Sequence, residues 1–314
     1  MKILIIGLGS IGKRHLNILK NMNKKINIIA LRSDRNAKKI DGAKNYYNLQ
    51  NALKEKPDIA FITTPTSLHI KYATKCAKAG CHLFIEKPLS HNQKDIKELI
   101  NIVKKNNLIT LMGCNMRFNP VIKKLKEKIY ELDLKNIYSY RINCGSHLPD
   151  WRPNRDYKKT YSAKKEMGGG VILDLIHEID YAYWLFGEIE NLKSYSDHIS
   201  NLKINTEDFA EIILKNKNNI IGNIHLNYYR LNAKRYIEII AKDLLIEADL
   251  LNGKLNINYK NKNVTYDFDF KRNYMYEKQM KYFLNCIKKN KKTFNDIKEG
   301  YKILKIALKA KKDD

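Results

Sequence analysis

Short runs rich in Ile, Leu and Phe punctuate the first hundred or so residues, at 3–6, 26–31, 59–62, 83–85 and 109–112. Each is too short and too continuously apolar for an amphipathic helix, and reads as a strand buried on both faces. Segments with helical spacing, such as 67–79 and 92–105, lie between them. This strand–helix alternation predicts an α/β domain with a doubly wound parallel sheet.

The texture changes after residue 119. A helix is expected over 120–132, then a strand in which Tyr138, Tyr140 and Ile142 alternate with polar residues. A polar, aromatic loop and a glycine-rich helix start follow. Further alternating runs lie at 209–214, 220–228, 236–241, 244–248, 255–259 and 264–270, with tight turns at Asn218-Asn219 and Asn252-Gly253. Period-two alternation predicts an open, mostly antiparallel sheet with one apolar face. Helices at 274–288 and 296–310 close the chain. The expected organisation is a doubly wound α/β domain over 1–119 and an α+β domain over 120–314.

Composition narrows the setting. No run of about eighteen apolar residues occurs, so no transmembrane helix is expected. Gly7, Gly9 and Gly12 interrupt the N-terminal apolar run, which suits a first buried strand better than a signal peptide. The five cysteines (Cys76, Cys81, Cys114, Cys144, Cys286) form no CxxC pair, which argues against a disulfide framework or zinc site and for a reducing cytoplasm. The net charge of +26 raises the prospect of nucleic acid. Yet the Lys excess is spread along the whole chain, and no segment combines clustered Arg with exposed aromatics. A solvated basic surface that steers small anions is the expectation, with neither nucleic acid nor membrane as partner.

Gly7-Leu8-Gly9-Ser10-Ile11-Gly12 is a GxGxxG placed after a strand and at the start of a helix. The first glycine permits a tight turn, the second lets the backbone approach a pyrophosphate, and the third lets helix and strand pack closely. Free N–H groups at the helix N-terminus then meet the phosphates. Where an acidic residue would accept from an NAD ribose, the sequence has Arg32 and Ser33, with Asp34 next. Arg32 suits a 2′-phosphate, so NADP is favoured over NAD. Glu86-Lys87-Pro88 follows the run at 83–85, and Lys87 is a candidate donor to a substrate oxygen.

Further on stand Gly168-Gly169-Gly170 and a mostly apolar stretch carrying Asp174, His177, Glu178 and Asp180. On one helix Asp174, His177 and Asp180 would share a face, and a His flanked by carboxylates suits a general base. Arg117, Trp151, Arg152, Arg155 and Tyr161 are substrate-side candidates: flat surfaces for a sugar or base, and guanidinium groups for a carboxylate or phosphate.

Together GLGSIGKRH, TTPTSLH, EKP, MGCNMRF and GGGVILDLIHEID resemble the Gfo/Idh/MocA family of glucose–fructose oxidoreductase and inositol dehydrogenase relatives. The resemblance implies an enzyme, an NAD(P)-dependent sugar dehydrogenase or reductase. It implies a dinucleotide-binding Rossmann domain over 1–119, then a substrate domain over 120–314 whose open sheet mediates a homodimer or tetramer, with Lys87 and His177 as catalytic and Asp174 in support. It also implies that Thr64, Pro65, Thr66, His69, Glu86 and Asn115 line the nicotinamide side. One departure is that Asp174 precedes His177 by three positions, where many members have four. The segment from Leu148 to Tyr161 resembles members of nucleotide-sugar and surface-polysaccharide synthesis. A non-catalytic NAD(P)-binding sensor is the alternative, although it would have no need of the Lys87–His177 pair.

Overall fold

All five apolar runs form strands of one parallel sheet in the computed structural model, which describes residues 1–22, 25–34 and 39–311. In chain order come β1 (Lys2–Ile6), α1 (Ser10–Met22), β2 (Asn27–Leu31), β3 (Lys44–Tyr46), α2 (Leu49–Leu53), β4 (Ile59–Ile62), α3 (His69–Lys78), β5 (His82–Ile85), α4 (Ile96–Lys105) and β6 (Thr110–Met112). The sheet order is β3-β2-β1-β4-β5-β6. The winding reverses between β1 and β4, so the loops after these strands flank the crevice where such sheets bind ligands. The third strand, Lys44-Asn45-Tyr46, has no apolar run to announce it. It is an edge strand that pairs only with β2.

The second sheet follows α5 (Pro120–Leu132), whose start is set by Pro120 and by the Asn119 side chain accepting from Val121 and Ile122 N–H groups. Next come β7 (Ile137–Gly145), the short α6 (Val171–Asp174), α7 (His177–Phe186), β8 (Ile189–Asp197), β9 (Phe209–Asn216), β10 (Ile221–Asn227), β11 (Lys234–Ala241), β12 (Leu244–Asp249), β13 (Lys254–Tyr259) and β14 (Lys262–Asp267). Their order is β14-β13-β12-β11-β7-β10-β9-β8, antiparallel throughout except for β7 against β10. Asn219 and Gly253 take positive φ in the turns expected from Asn218-Asn219 and Asn252-Gly253. Tyr140 of β7 stacks on Phe186 of α7 at 3.8 Å, and α5 packs on β12 and β13. The opposite face carries Tyr195, Ile213, Ile221 and Ile240 exposed among charged neighbours.

Two helices, α8 (Tyr274–Lys288) and α9 (Ile297–Ala310), end the chain. The compact units are therefore not the contiguous halves 1–119 and 120–314. One unit comprises residues 1–114 with 276–304, the other 115–275 with 305 onward. Apolar packing explains the return: Met280 and Phe283 of α8 join Ile3, Ile5, Phe61, Phe84 and Leu111 in the first unit's core. Polar contacts reinforce it. Gln279 donates to the Met112 carbonyl and Thr293 to that of Thr110. No helix among the described residues is long and apolar enough to cross a membrane.

Candidate active site

In the first unit the glycines divide their labour as the sequence implies. Gly7 has φ +92°, and a Cβ on Gly12 would lie 2.0 Å from the Gly7 carbonyl oxygen, so α1 can press on β1 only without a side chain there. A Cβ on Gly9 would meet nothing within 4 Å. Protein packing therefore does not explain that glycine, whereas close approach of a ligand does. Beside it the first turn of α1, Ser10 to Gly12, has N–H groups without intrahelical acceptors and no acidic residue. This cradle fits the pyrophosphate of a dinucleotide.

Arg32 follows directly on β2. Its backbone N–H donates to the Tyr46 carbonyl and its guanidinium lies 3.4 Å from Asn45 Oδ1, a weak contact that leaves donors for another acceptor. Ser33 and Asp34 are exposed.

Thr63 closes the other side of the crevice, its hydroxyl donating to the carbonyls of Ile6 and Gly7. Thr64 and Pro65 follow it. His69, expected at the nicotinamide, is only 1% exposed. Its Nδ1 lies 2.8 Å from the Pro88 carbonyl oxygen and its Nε2 2.9 Å from that of Thr64. The ring thus lies between the loop after β4 and the loop after β5; burial pushes its pKa below the usual 6.5, and the neutral ring, with one N–H, donates to one of the two carbonyls. Glu86 is also turned inward: Oε1 meets His15 Nε2 at 2.7 Å. Lys87 and Pro88 begin the loop at the end of β5, two strand spacings or about 10 Å from β1.

The second unit gathers a different set. The expected single helix is broken: α6 ends at Asp174 and α7 starts at His177, so Asp174 does not continue the α7 face. The glycine run serves protein packing, since a Cβ on Gly169 would sit 2.3 Å from the Tyr161 carbonyl oxygen and one on Gly170 2.2 Å from Glu207. Each buried carboxylate here has an internal partner. Asp174 accepts from Tyr228 at 2.7 Å, Glu178 from Arg235 at 2.7 Å, and Asp180 holds Arg117 in a fork at 2.9 and 2.8 Å. Arg117 is wholly buried, which corrects its expected place on the substrate side: its guanidinium neutralises Asp180 beneath Trp184.

Three other sequence choices do assemble. Trp151 meets Tyr228 edge-on at 5.3 Å and donates to Ser146, while the Arg152 guanidinium lies 5.8 Å from the Tyr161 ring. Burial, and after it the charge of Asp174, pushes the Tyr161 and Tyr228 phenols well above the usual tyrosine range, so both remain donors. Arg155 is exposed, and Asn115 is buried at the start of a 3₁₀ turn, Asn115–Phe118.

Residues 1–114 match the oxidoreductase family with an NAD-binding Rossmann fold, and residues 122–243 match the Gfo/Idh/MocA C-terminal domain. The chain belongs to the Gfo/Idh/MocA family. It is 32% identical over 233 residues to the myo-inositol 2-dehydrogenase of Thermotoga maritima, spanning 71% of this chain and 67% of that protein. It spans about half of YrbE from Bacillus subtilis, an uncharacterised oxidoreductase that is 31% identical over 193 residues. The fold superimposes on UDP-N-acetylglucosamine 3-dehydrogenase from Acidithiobacillus ferrooxidans with a TM-score of 0.81, at 21% identity over 99% of this chain and 96% of the other.

Within this Gfo/Idh/MocA chain, sequence reasoning missed Tyr228, Arg235 and His15. The first two, just after β10 and in β11, lie more than fifty residues from their carboxylates, and only the alternation of those strands hinted that they face inward. His15 stood in view in GLGSIGKRH without a role.

His69 generates a prediction. Its pKa in the fold is depressed, so its contribution to stability is fully present above the unfolded value of about 6.5 and is lost as pH falls below it. Urea unfolding from about pH 7 to about pH 5 should show wild type losing more stability than His69→Gln, by up to about 1.4 kcal/mol per pH unit. Equal slopes would show that the ring is not held neutral.

Proposed function

We propose that the protein transfers a hydride between a nicotinamide cofactor and a secondary hydroxyl or ketone of a sugar or nucleotide-sugar. The observation that carries this reading is the bare backbone at Gly9, where an added Cβ would meet no atom of the described residues within 4 Å, at the same C-terminal end of the parallel strands as Lys87. The names of the relatives support a cyclic polyol or sugar as substrate. Trp151, Arg152 and Tyr161 add flat apolar surface and a guanidinium, as a nucleotide-sugar requires. Such a substrate would place the reaction in the supply of surface-polysaccharide units.

When bound, the nicotinamide supplies the hydride acceptor or donor. In this reading Lys87 stabilises the charge developing on the substrate oxygen, and His177 takes or returns the hydroxyl proton. Asp174, which accepts from the Tyr228 hydroxyl, supports the segment that leads into His177. Ser10, Ile11 and Gly12 would hold phosphate, and Thr64 and Pro65 would line the cofactor. Acid–base help of this kind contributes about 10²–10⁴-fold in rate, and holding the reactants in register contributes more.

The test is the NAD(P)H absorbance change with myo-inositol, a methyl glucoside and UDP-N-acetylglucosamine. Lys87→Met and His177→Ala should each lower kcat at least about a hundredfold while the cofactor still binds. Near-normal turnover in both variants would overturn the assignment.

A preference for NADP over NAD rests on Arg32, whose neighbours leave it donors for a 2′-phosphate. Calorimetry should show Arg32→Ala weakening NADPH about ten- to a hundredfold with little effect on NADH. Equal affinities that the substitution leaves unchanged would pass the role to Asp34.

The exposed Tyr195, Ile213, Ile221 and Ile240 on the uncovered sheet face suit a second copy of this chain. Sedimentation should show a dimer or tetramer at micromolar concentration, and an Ile213→Lys variant should dissociate. A monomeric wild type would refute this.

A further inference from the structure

The imidazole of His15 lies on the second turn of α1, behind the glycine loop, and is 0% exposed. Phe84, Phe61 and Tyr276 surround it, with ring centroids 4.9, 5.6 and 6.1 Å away. An aromatic cage calls for an apolar side chain, so a polar ring here needs a reason. Nδ1 has no hydrogen-bond partner, while Nε2 lies 2.7 Å from Glu86 Oε1. The ring therefore carries its proton on Nε2 and donates to a carboxylate that is only 8% exposed. The other carboxylate oxygen, Oε2, accepts from the Lys87 backbone N–H at 3.3 Å. The glycine at 113 leaves room for it, since a Cβ there would lie 2.8 Å from Oε2.

We propose that His15 is a positioning residue: by donating to Glu86 it locks the carboxylate that holds the backbone of Lys87, and so couples the helix behind the dinucleotide loop to the proton-handling lysine. The inference rests on the role proposed for Lys87. Without the His15 donor, Oε1 of the buried Glu86 carboxylate loses its partner, and the side chain turns towards water to regain one. That turn releases the Lys87 backbone. A Leu in place of His15 would fill the aromatic cage and keep α1 docked, whereas a Gln can restore the lost donor.

The experiment reads Lys87 directly and needs no substrate. Acetylation of Lys87 by a limiting amount of N-hydroxysuccinimidyl acetate is measured by peptide mass spectrometry, relative to the exposed Lys71. The ratio should change at least about threefold in His15→Leu and in Glu86→Met, the scale on which loss of one net hydrogen bond acts. His15→Gln should stay near wild type, and NADH affinity should hold in both His15 variants. An unchanged ratio in His15→Leu overturns the proposal, as does a His15→Gln ratio as altered as that of Leu. Loss of the folded state in both apolar variants, with His15→Gln folded, would make the pair a stability element and overturn it too. Turnover of Lys87→Met, measured alongside, separates the two readings. Full turnover there ends the catalytic role of Lys87, whereas unchanged reactivity in His15→Leu ends the positioning role of His15.

Discussion

Buried carboxylates impose the constraint on which both units of this chain depend. Glu86, Asp174, Glu178, Asp180 and Asp208 are all at most 8% exposed. A carboxylate removed from water without a partner is so unfavourable that it must find donors or give up its charge. Each of the five has found donors, mostly on other elements: His15 for Glu86, Tyr228 for Asp174, Arg235 for Glu178, Arg117 for Asp180, and the Ile199 and Ser200 N–H groups for Asp208. Such pairs add little net stability compared with apolar residues of the same volume. They do have geometry, however, and the proposed catalytic groups are held by that geometry.

The pairs sit beside the proposed catalytic residues, one step removed from them. Glu86 adjoins Lys87, while Asp174, Glu178 and Asp180 surround His177 in sequence. Lys87 and His177 thus stand on backbone whose neighbouring carboxylates are clamped. An active site gains from a frame of this kind because misplacement by about 1 Å can cost a hundredfold in rate. His69 packs between the loops after β4 and β5 without a charge, its single N–H donating to one of the two carbonyl groups it meets. The residues that the family resemblance places near the nicotinamide therefore divide in two. Thr64 and Pro65 lie in a loop at the crevice, whereas His69 and Glu86 are struts beneath it.

Where reasoning from sequence succeeded, the signal was local. Five short, largely apolar runs alternating with helical segments read as buried parallel strands, and the glycine spacing between β1 and α1 has few alternatives. The alternating runs after residue 209 likewise announced their strands and turns. It failed at edges and breaks. β3 and β8 are edge strands, with no buried residue in the first and only Leu192 in the second, so neither carried a hydrophobic period. The break between α6 and α7 lies in an apolar stretch, Leu175-Ile176, with no Pro or Gly to mark it.

Sequence alone therefore determined the fold class, the dinucleotide cradle and the membership of the family, because each depends on the order and spacing of neighbouring residues. Tertiary structure alone decided which polar residues face a ligand and which neutralise one another. Arg117 and Arg152 are the same residue type and both lie near aromatics in the chain, yet one is sealed against Asp180 and the other stays partly exposed beside Tyr161. Their partners come from elements 63 residues away in one case and 9 in the other. No local pattern encodes the longer pairing, because the energy that selects it arises only when both groups leave water together.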